Sequence, residues 1–128
     1  MPMVNMRQLG GEYSVCRLPP DTDFPVWADG EGFVSISRTD DELSVVCRSD
    51  RVSPQVLSSP RWTCLKLLGP FAFDEAGIAL AVIRPLSENG IGVFLVSTYD
   101  GDHLLLQCAD LEKSVALLTS AGHKIETG

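Results

Sequence analysis

Two carboxylates and a glycine, Asp74, Glu75 and Gly77, stand directly before a segment of helical periodicity that begins at Ile78. The first N–H groups of a helix have no acceptor within the helix, and the helix dipole favours a negative charge beside them. Such a corner can cap itself with Asp74 or Glu75, or it can hold the carboxylate of a small molecule. Both interpretations stay open at this point.

A second polar cluster, residues 98–102, separates two apolar runs and contains Asp100-Gly101, a strong hairpin signal. An α-amino acid is a zwitterion, so its carboxylate suits the N–H groups of Gly77 and Ile78. Its ammonium needs a carboxylate, for which Glu75 and Asp102 are candidates. The alternative is that Asp100 and Asp102 only shape the turn, and that Thr98 and Tyr99 are ordinary residues at a strand end.

The residues that would carry enzyme chemistry are sparse. The two histidines, His103 and His123, have no nucleophile or metal ligand at a recognisable spacing, and no glycine-rich phosphate loop is present. Acid–base chemistry by Asp74, Glu75 and Asp102 is conceivable, but no reaction follows from it. The sequence therefore predicts a binding protein with no catalytic residue, no metal site and no cofactor.

The elements that position these residues follow from periodicity in the second half of the chain. An apolar strand over residues 62–68 precedes a helix over 77–89, in which Pro85 predicts a kink or an early 3-10 finish. Strands over 92–96 and 104–108 flank the hairpin. A second helix, capped by Asp110, ends at Gly122. The predicted order is βαββαβ, an α+β ferredoxin-like fold with two helices on one face of an antiparallel sheet.

The first half resembles a shortened copy of the second. Residues 13–18 match residues 62–67 in residue type, and the two hairpins align with Ser37 on Ser97 and Asp41 on Asp102. Chance similarity between apolar strands is the alternative. We predict two tandem units, a shortened one over 1–60 and a complete one over 61–128. Residues 1–11 are polar, and we expect them to be loose.

Composition excludes several classes of partner. The net charge is −7, the sequence pI is about 4.6, and the ten Lys and Arg residues form no run. We therefore expect no binding to nucleic acid or to an anionic membrane surface. No apolar run reaches membrane-spanning length and the first residues do not resemble a signal peptide, so we expect a cytoplasmic protein.

The four cysteines lie within apolar runs and form no C-x-x-C pair. Disulfides and a metal site are possible functional interpretations for such residues. Buried reduced thiols are the favoured interpretation.

Several short segments together resemble the ACT domain family: GPFAFDEAGI (69–78), PL (85–86), NGI (89–91) and STYDGD (97–102). They are most similar to the tandem-ACT group that includes the regulatory regions of aspartate kinases and a cytosolic arginine sensor. The resemblance is best over residues 61–122. It implies a ferredoxin-like fold and a regulatory module that binds an amino acid or another small metabolite, usually between two ACT units.

The resemblance also implies a site and an assembly. The ligand-binding residues implied by the resemblance lie in loop 74–78 and in the hairpin: Glu75, Gly77, Ile78, Thr98, Tyr99 and Asp102. Asp74, from the same loop, is added to this predicted set. Since the chain carries neither a kinase domain nor further ACT units, the expected assembly is a homodimer. The alternative function is a dimeric structural or adaptor protein with a vestigial pocket.

Overall fold

The structure is a computed structural model that describes residues 2–69, 71 and 76–127. It divides into two compact units. The first nine residues and residues 63–128 form what we call the helical unit, and residues 10–62 form the insert unit. The sequence-based division at residue 60 differs from this one in the placement of the first nine residues.

The strands are, in chain order, β1 (Asn5–Gln8), β2 (Tyr13–Leu18), β3 (Ser35–Arg38), β4 (Leu43–Arg48), β5 (Leu57–Leu67), β6 (Val93–Ser97), β7 (Asp102–Gln107) and β8 (Lys124–Thr127). The helices are α1 (Ile78–Ser87) and α2 (Leu111–Ser120), and 3-10 turns occur at Val26–Ala28, Ser49–Arg51 and Cys108–Asp110. No helix in the described part of the chain is long and apolar enough to cross a membrane.

The helical unit has the predicted βαββαβ order, from β5 through α1, β6, β7 and α2 to β8. Its strands lie in the order β6-β7-β5-β1-β8. Alternate residues of β5 and β7, with Leu65 and Leu104 fully buried, face Val82 of α1 and Leu118 of α2 in one apolar core. The mixed α+β, ferredoxin-like fold expected from the sequence is confirmed.

The expectation of a loose N-terminus is wrong. Residues 5–8 form β1, which pairs antiparallel with β5 and parallel with β8. Val4 and Met6 alternate with polar residues and point into the core, where Met6 is fully buried. The alternation was present in the sequence, but a strand of four residues is too short to stand out from a polar terminus.

Helix α1 continues through Pro85 to Ser87, and His123 compensates for the proline. Because Pro85 has no N–H, the carbonyl of Ala81 loses its usual helical donor. The buried His123 fills that place: its Nε2–H donates to the Ala81 carbonyl at 2.9 Å, and its Nδ1 accepts from the N–H of Val4 at 3.0 Å. These two bonds assign the neutral Nε2–H tautomer.

The structure confirms the predicted ends of both helices but not the predicted cap at the start of α2. Gly90 (φ +76°) and Gly122 (φ +98°) end α1 and α2 in the left-handed conformation, as the glycine signals predicted. Asp110 does occupy the N-cap position of α2. However, its carboxylate forms no capping hydrogen bond within the described residues, so the predicted cap is wrong.

The insert unit repeats the order with both helices reduced to 3-10 turns. Its strands lie in the order β3-β4-β2-β5, with residues 57–62 of β5 as the last strand. The first turn contributes Ala28 to a core formed with Cys16, Leu43, Val45 and Cys47. The guanidinium of Arg51 donates to the carbonyls of Ala28 and Glu31, at 3.2 and 2.6 Å, and so ties this turn in place. The shortened copy predicted from the sequence is present.

The predicted alignment of the two hairpins is wrong by one residue before the turn and by two residues after it. The last pair before the turn is Arg38 with Leu43 in the insert unit and Ser97 with Asp102 in the helical unit. Asp102 therefore corresponds to Leu43 rather than to Asp41. Before the turn, Ser97 corresponds to Arg38 rather than to Ser37, and this shift of one residue turns the side chains to the other face of the sheet.

All four cysteines are free thiols, and Cys16, Cys47 and Cys64 are buried. Burial raises the pKa of Cys64 to about 12. A hydrogen bond with Cys47, together with burial, raises the pKa of the Cys16 thiol. These environments keep Cys16 and Cys64 protonated and unreactive, in agreement with the sequence-based interpretation, whereas the hydrogen bond from Cys16 lowers the pKa of Cys47.

Candidate functional site

A cavity of about 280 Å³ lies in the helical unit between the start of α1 and the β6–β7 hairpin. It is lined by Phe71, residues 77–80 and residues 97–102. Of the predicted ligand-binding residues, the structure brings five around this cavity: Gly77, Ile78, Thr98, Tyr99 and Asp102. The other two, Asp74 and Glu75, lie outside the described residues.

Gly77 is the N-cap residue of α1 and has a left-handed backbone, with φ at +89°. A Cβ there would lie 3.8 Å from the ring of Pro2, an ordinary contact. The position therefore requires glycine for its conformation rather than for space. The first turn contains no acidic residue and the N-cap makes no side-chain bond among the described residues. The N–H groups of this first turn face a cavity without an acceptor from their own helix.

Asp102 is the first residue of β7 and is half-buried. Leu104 and Leu106 on the same strand point into the core beneath the helices, so alternation places Asp102 on that face too. The hydroxyl of Ser97, its cross-strand partner, donates to the Asp102 carboxylate. Ser97 thus orients the acid. Sequence reasoning noted Ser97 only as a repeat position, although its register across the Asp-Gly hairpin was the available signal.

The hairpin turn is held by Thr98. Its N–H and its hydroxyl both donate to the carbonyl of Gly101, at 2.6 and 2.9 Å. Since the hydroxyl proton is committed to the turn, Thr98 offers a ligand only an acceptor oxygen. Tyr99 is 80% exposed and stands at the rim of the cavity.

Phe71 closes the cavity at its inner end. Its ring lies so near the backbone of Gly69 and Gly101 that a Cβ on either would approach a ring carbon to 3.2–3.3 Å. Phe71 also packs against the core of the helical unit. From the sequence this ring is expected to exclude water from the site; its expected companion, Phe73, lies outside the described residues.

The site has the chemistry of a binding pocket. Helical N–H groups without an intrahelical acceptor lie on one side and an oriented carboxylate on the other, an arrangement suited to a small zwitterion. Among residues 2–69, 71 and 76–127, no three His, Cys, Asp or Glu side chains form a group that could hold a metal ion.

The sequence model of the ACT domain matches residues 57–120. The chain belongs to the ACT domain family. A second family model, of an N-terminal domain, matches residues 11–55, a range within the insert unit. In this ACT protein, the matched ACT segment includes every residue of the cavity described above.

Two relatives are similar to the ACT protein in sequence. A crystal structure from Agrobacterium tumefaciens is 55% identical, with a TM-score of 0.95, over 100% of this chain and 96% of that one. The mouse cytosolic arginine sensor for mTORC1 subunit 1 is 32% identical over 91 residues. That match covers 69% of this chain, which spans only 27% of the sensor.

An aspartate kinase from Synechocystis shares the fold alone. It has 13% identity and a TM-score of 0.68 over 97% of this chain and 28% of the kinase.

Proposed function

We propose that this ACT protein is a regulatory protein without catalytic activity that binds a free amino acid in the cavity of its helical unit. The observation that carries the proposal is the convergence of the α1 N-terminus and the Ser97-oriented Asp102 on one cavity. The family supports it, since the mouse relative is named as an arginine sensor.

The ligand carboxylate would accept from the N–H groups at the start of α1, around Ile78, where the dipole adds about 0.3–1 kcal/mol. The ligand ammonium would donate to Asp102, with the oxygen of Thr98 as a further acceptor. Asp74 and Glu75 remain proposed ligand residues from the adjoining loop. The cavity volume of about 280 Å³ lies just below the usual range for ligand pockets, so the proposal favours a small amino acid.

The proposed assembly is a homodimer in which a second copy covers the mouth of the cavity. Leu80 and Tyr99 at the rim are 55% and 80% exposed, and a second copy placed there would cover both side chains. Strand β6, with the apolar run 93–96, pairs only with β7 among the described strands and offers an edge for association. The free thiols are consistent with a reducing compartment such as the cytoplasm.

A thermal-shift screen of the twenty amino acids tests the proposal. A ligand present at 100 times its Kd adds about 2.7 kcal/mol of stability, a shift of several degrees in Tm. Titration calorimetry then compares the wild type with Asp102→Ala and with Asp41→Ala, which removes an exposed aspartate from the hairpin turn of the insert unit.

Asp102→Ala should weaken binding by about 1.5–3 kcal/mol, the range for a hydrogen bond to a charged group. Asp41→Ala should leave it unchanged. If the whole panel is silent, the pocket is vestigial and the adaptor alternative stands. If Asp102→Ala binds as well as the wild type but melts earlier, Asp102 is only a turn residue.

A further inference from the structure

A second cavity, of about 380 Å³, lies beside the same hairpin. Asp102 faces the helices, so its neighbour His103 points to the opposite face of the sheet. On β5, Lys66 lies between the core residues Leu65 and Leu67 and so shares that helix-free face. The lining of the second cavity contains both Lys66 and His103, with the hairpin turn at its edge.

The charges around the second cavity favour an anion. Burial, and then the neighbouring charge of Lys66, lower the pKa of His103, while Asp102 opposes the shift. The ammonium of Lys66 has no carboxylate within ion-pair distance in the described ranges. Across β6, the residue paired with His103 is Val96, which carries no charge. The cavity thus combines a cation and an imidazole, both of which can donate a hydrogen bond to an anion.

One carboxylate limits what can enter. Asp100 is exposed at the turn and lines the same cavity. It repels a dianion such as phosphate more than a singly charged carboxylate, and it offers a partner to an ammonium group. The lining is therefore suited to one negative charge at Lys66 and His103.

We propose that this second cavity is a separate binding site for a small monocarboxylate, held by the Lys66 ammonium and the His103 imidazole. The site lies on the other face of the sheet from the amino-acid cavity and does not depend on it. Both cavities include Thr98, Asp100 and Gly101 in their linings, so a ligand in either one contacts the same turn.

NMR titration of the His103 imidazole tests the site in the full chain. Acetate is added at constant ionic strength, with chloride and phosphate as parallel probes, and His103→Gln identifies the signal. Acetate should give a saturating shift and should raise the pH midpoint of His103 protonation, because a bound anion stabilises the imidazolium beside Lys66, Asp100 and Asp102.

Two lysine variants make the result specific. Lys66→Gln should weaken the acetate response by about tenfold, as expected for one lost charge-assisted bond. Lys113→Gln, at an exposed position of α2, should leave the acetate response unchanged. A response that chloride reproduces, or that survives Lys66→Gln intact, overturns the site, and a stronger response to phosphate overturns the monocarboxylate assignment.

The experiments can refute either proposal without refuting the other. In Asp102→Ala, amino-acid binding at the first cavity should be lost while acetate still titrates His103. In Lys66→Gln, amino-acid binding at the first cavity should be unchanged while the acetate response of His103 is weakened. A silent amino-acid screen with a saturating acetate response leaves only the second site, and the opposite pair of results leaves only the first.

Discussion

The two hairpins of the chain have turns with the same hydrogen bond, and they differ in the residue that comes directly after the turn. In the insert unit the N–H of Thr39 donates to the carbonyl of Glu42 at 2.9 Å, and in the helical unit Thr98 does the same to Gly101 at 2.6 Å. The next residue begins the returning strand in both cases. It is Leu43, fully buried, in one unit and Asp102, half-buried, in the other.

The covering elements explain the difference. Over the insert unit's hairpin face lies a 3-10 turn of three residues, whose Ala28 packs with Leu43 in the core. In the helical unit a helix of ten residues begins at the cavity and presents its N-terminus there. A short turn has no comparable array of N–H groups, so its partner strand can bury a leucine. The element opposite this position thus decides whether its residue joins the core or lines a cavity.

Exchanging the two residues gives the largest expected effect. Leu43→Asp should destabilise the protein by about 4 kcal/mol or more, because it removes a buried leucine and places a carboxylate in an apolar core. Asp102→Leu should change stability by only about 1 kcal/mol, the value of its bond with Ser97. Urea unfolding measures the stability of both variants. Equal losses would show that positions 43 and 102 do not differ in their contribution to the core.

The histidine that supports α1 has no counterpart in the insert unit, where this helix is a 3-10 turn. His123→Phe should cost about 2–3 kcal/mol, since it leaves the Ala81 carbonyl and the Val4 N–H buried without their partner. In a Pro85→Ala background the loss should be smaller, because the new N–H of residue 85 can serve Ala81. Urea unfolding measures the cost of His123→Phe in both backgrounds. An identical loss of stability would show that His123 does not compensate for Pro85.

These predictions also show where sequence reasoning was sufficient. Local signals at Asp100-Gly101 and Asn89-Gly90 depend on neighbouring residues alone, and they predicted both the hairpin and the end of α1. The bond between His123 and Ala81 joins residues 42 positions apart, so the sequence around Pro85 could not show that α1 continues as an α-helix to Ser87 instead of finishing early. The hairpin alignment failed, by one residue before the turn and two after it, because leucine and valine runs match equally well in neighbouring registers.

Gly77 provides a smaller test of the helical unit's start. Gly77→Ala should cost about 1 kcal/mol, because a side chain is strained at φ +89° even though the space is open. Gly92→Ala, where a Cβ meets nothing within 4 Å and φ is not positive, is the matched control and should be neutral. Thermal unfolding compares them, and equal Tm values would remove the conformational argument.

Ser97→Ala gives the smallest effect. It should leave stability within about 1 kcal/mol and weaken the proposed amino-acid binding severalfold, because Asp102 loses the donor that orients it. Ser37→Ala, one residue before the equivalent pair in the insert unit, is the control for calorimetry. Equal affinity in both variants would mean that Asp102 needs no orientation.

Strand β1 gives the protein a particular order of assembly during synthesis. Met6 pairs with Leu67 of β5 and with Ile125 of β8, and the ribosome makes the second of these partners much later than the first. Residues 10–62 form a compact unit that does not include β1, so this unit can collapse before β1 is paired. Strand β1 is therefore paired on both sides only after β8 has been made, and until then its free side is an unpaired edge exposed to other chains.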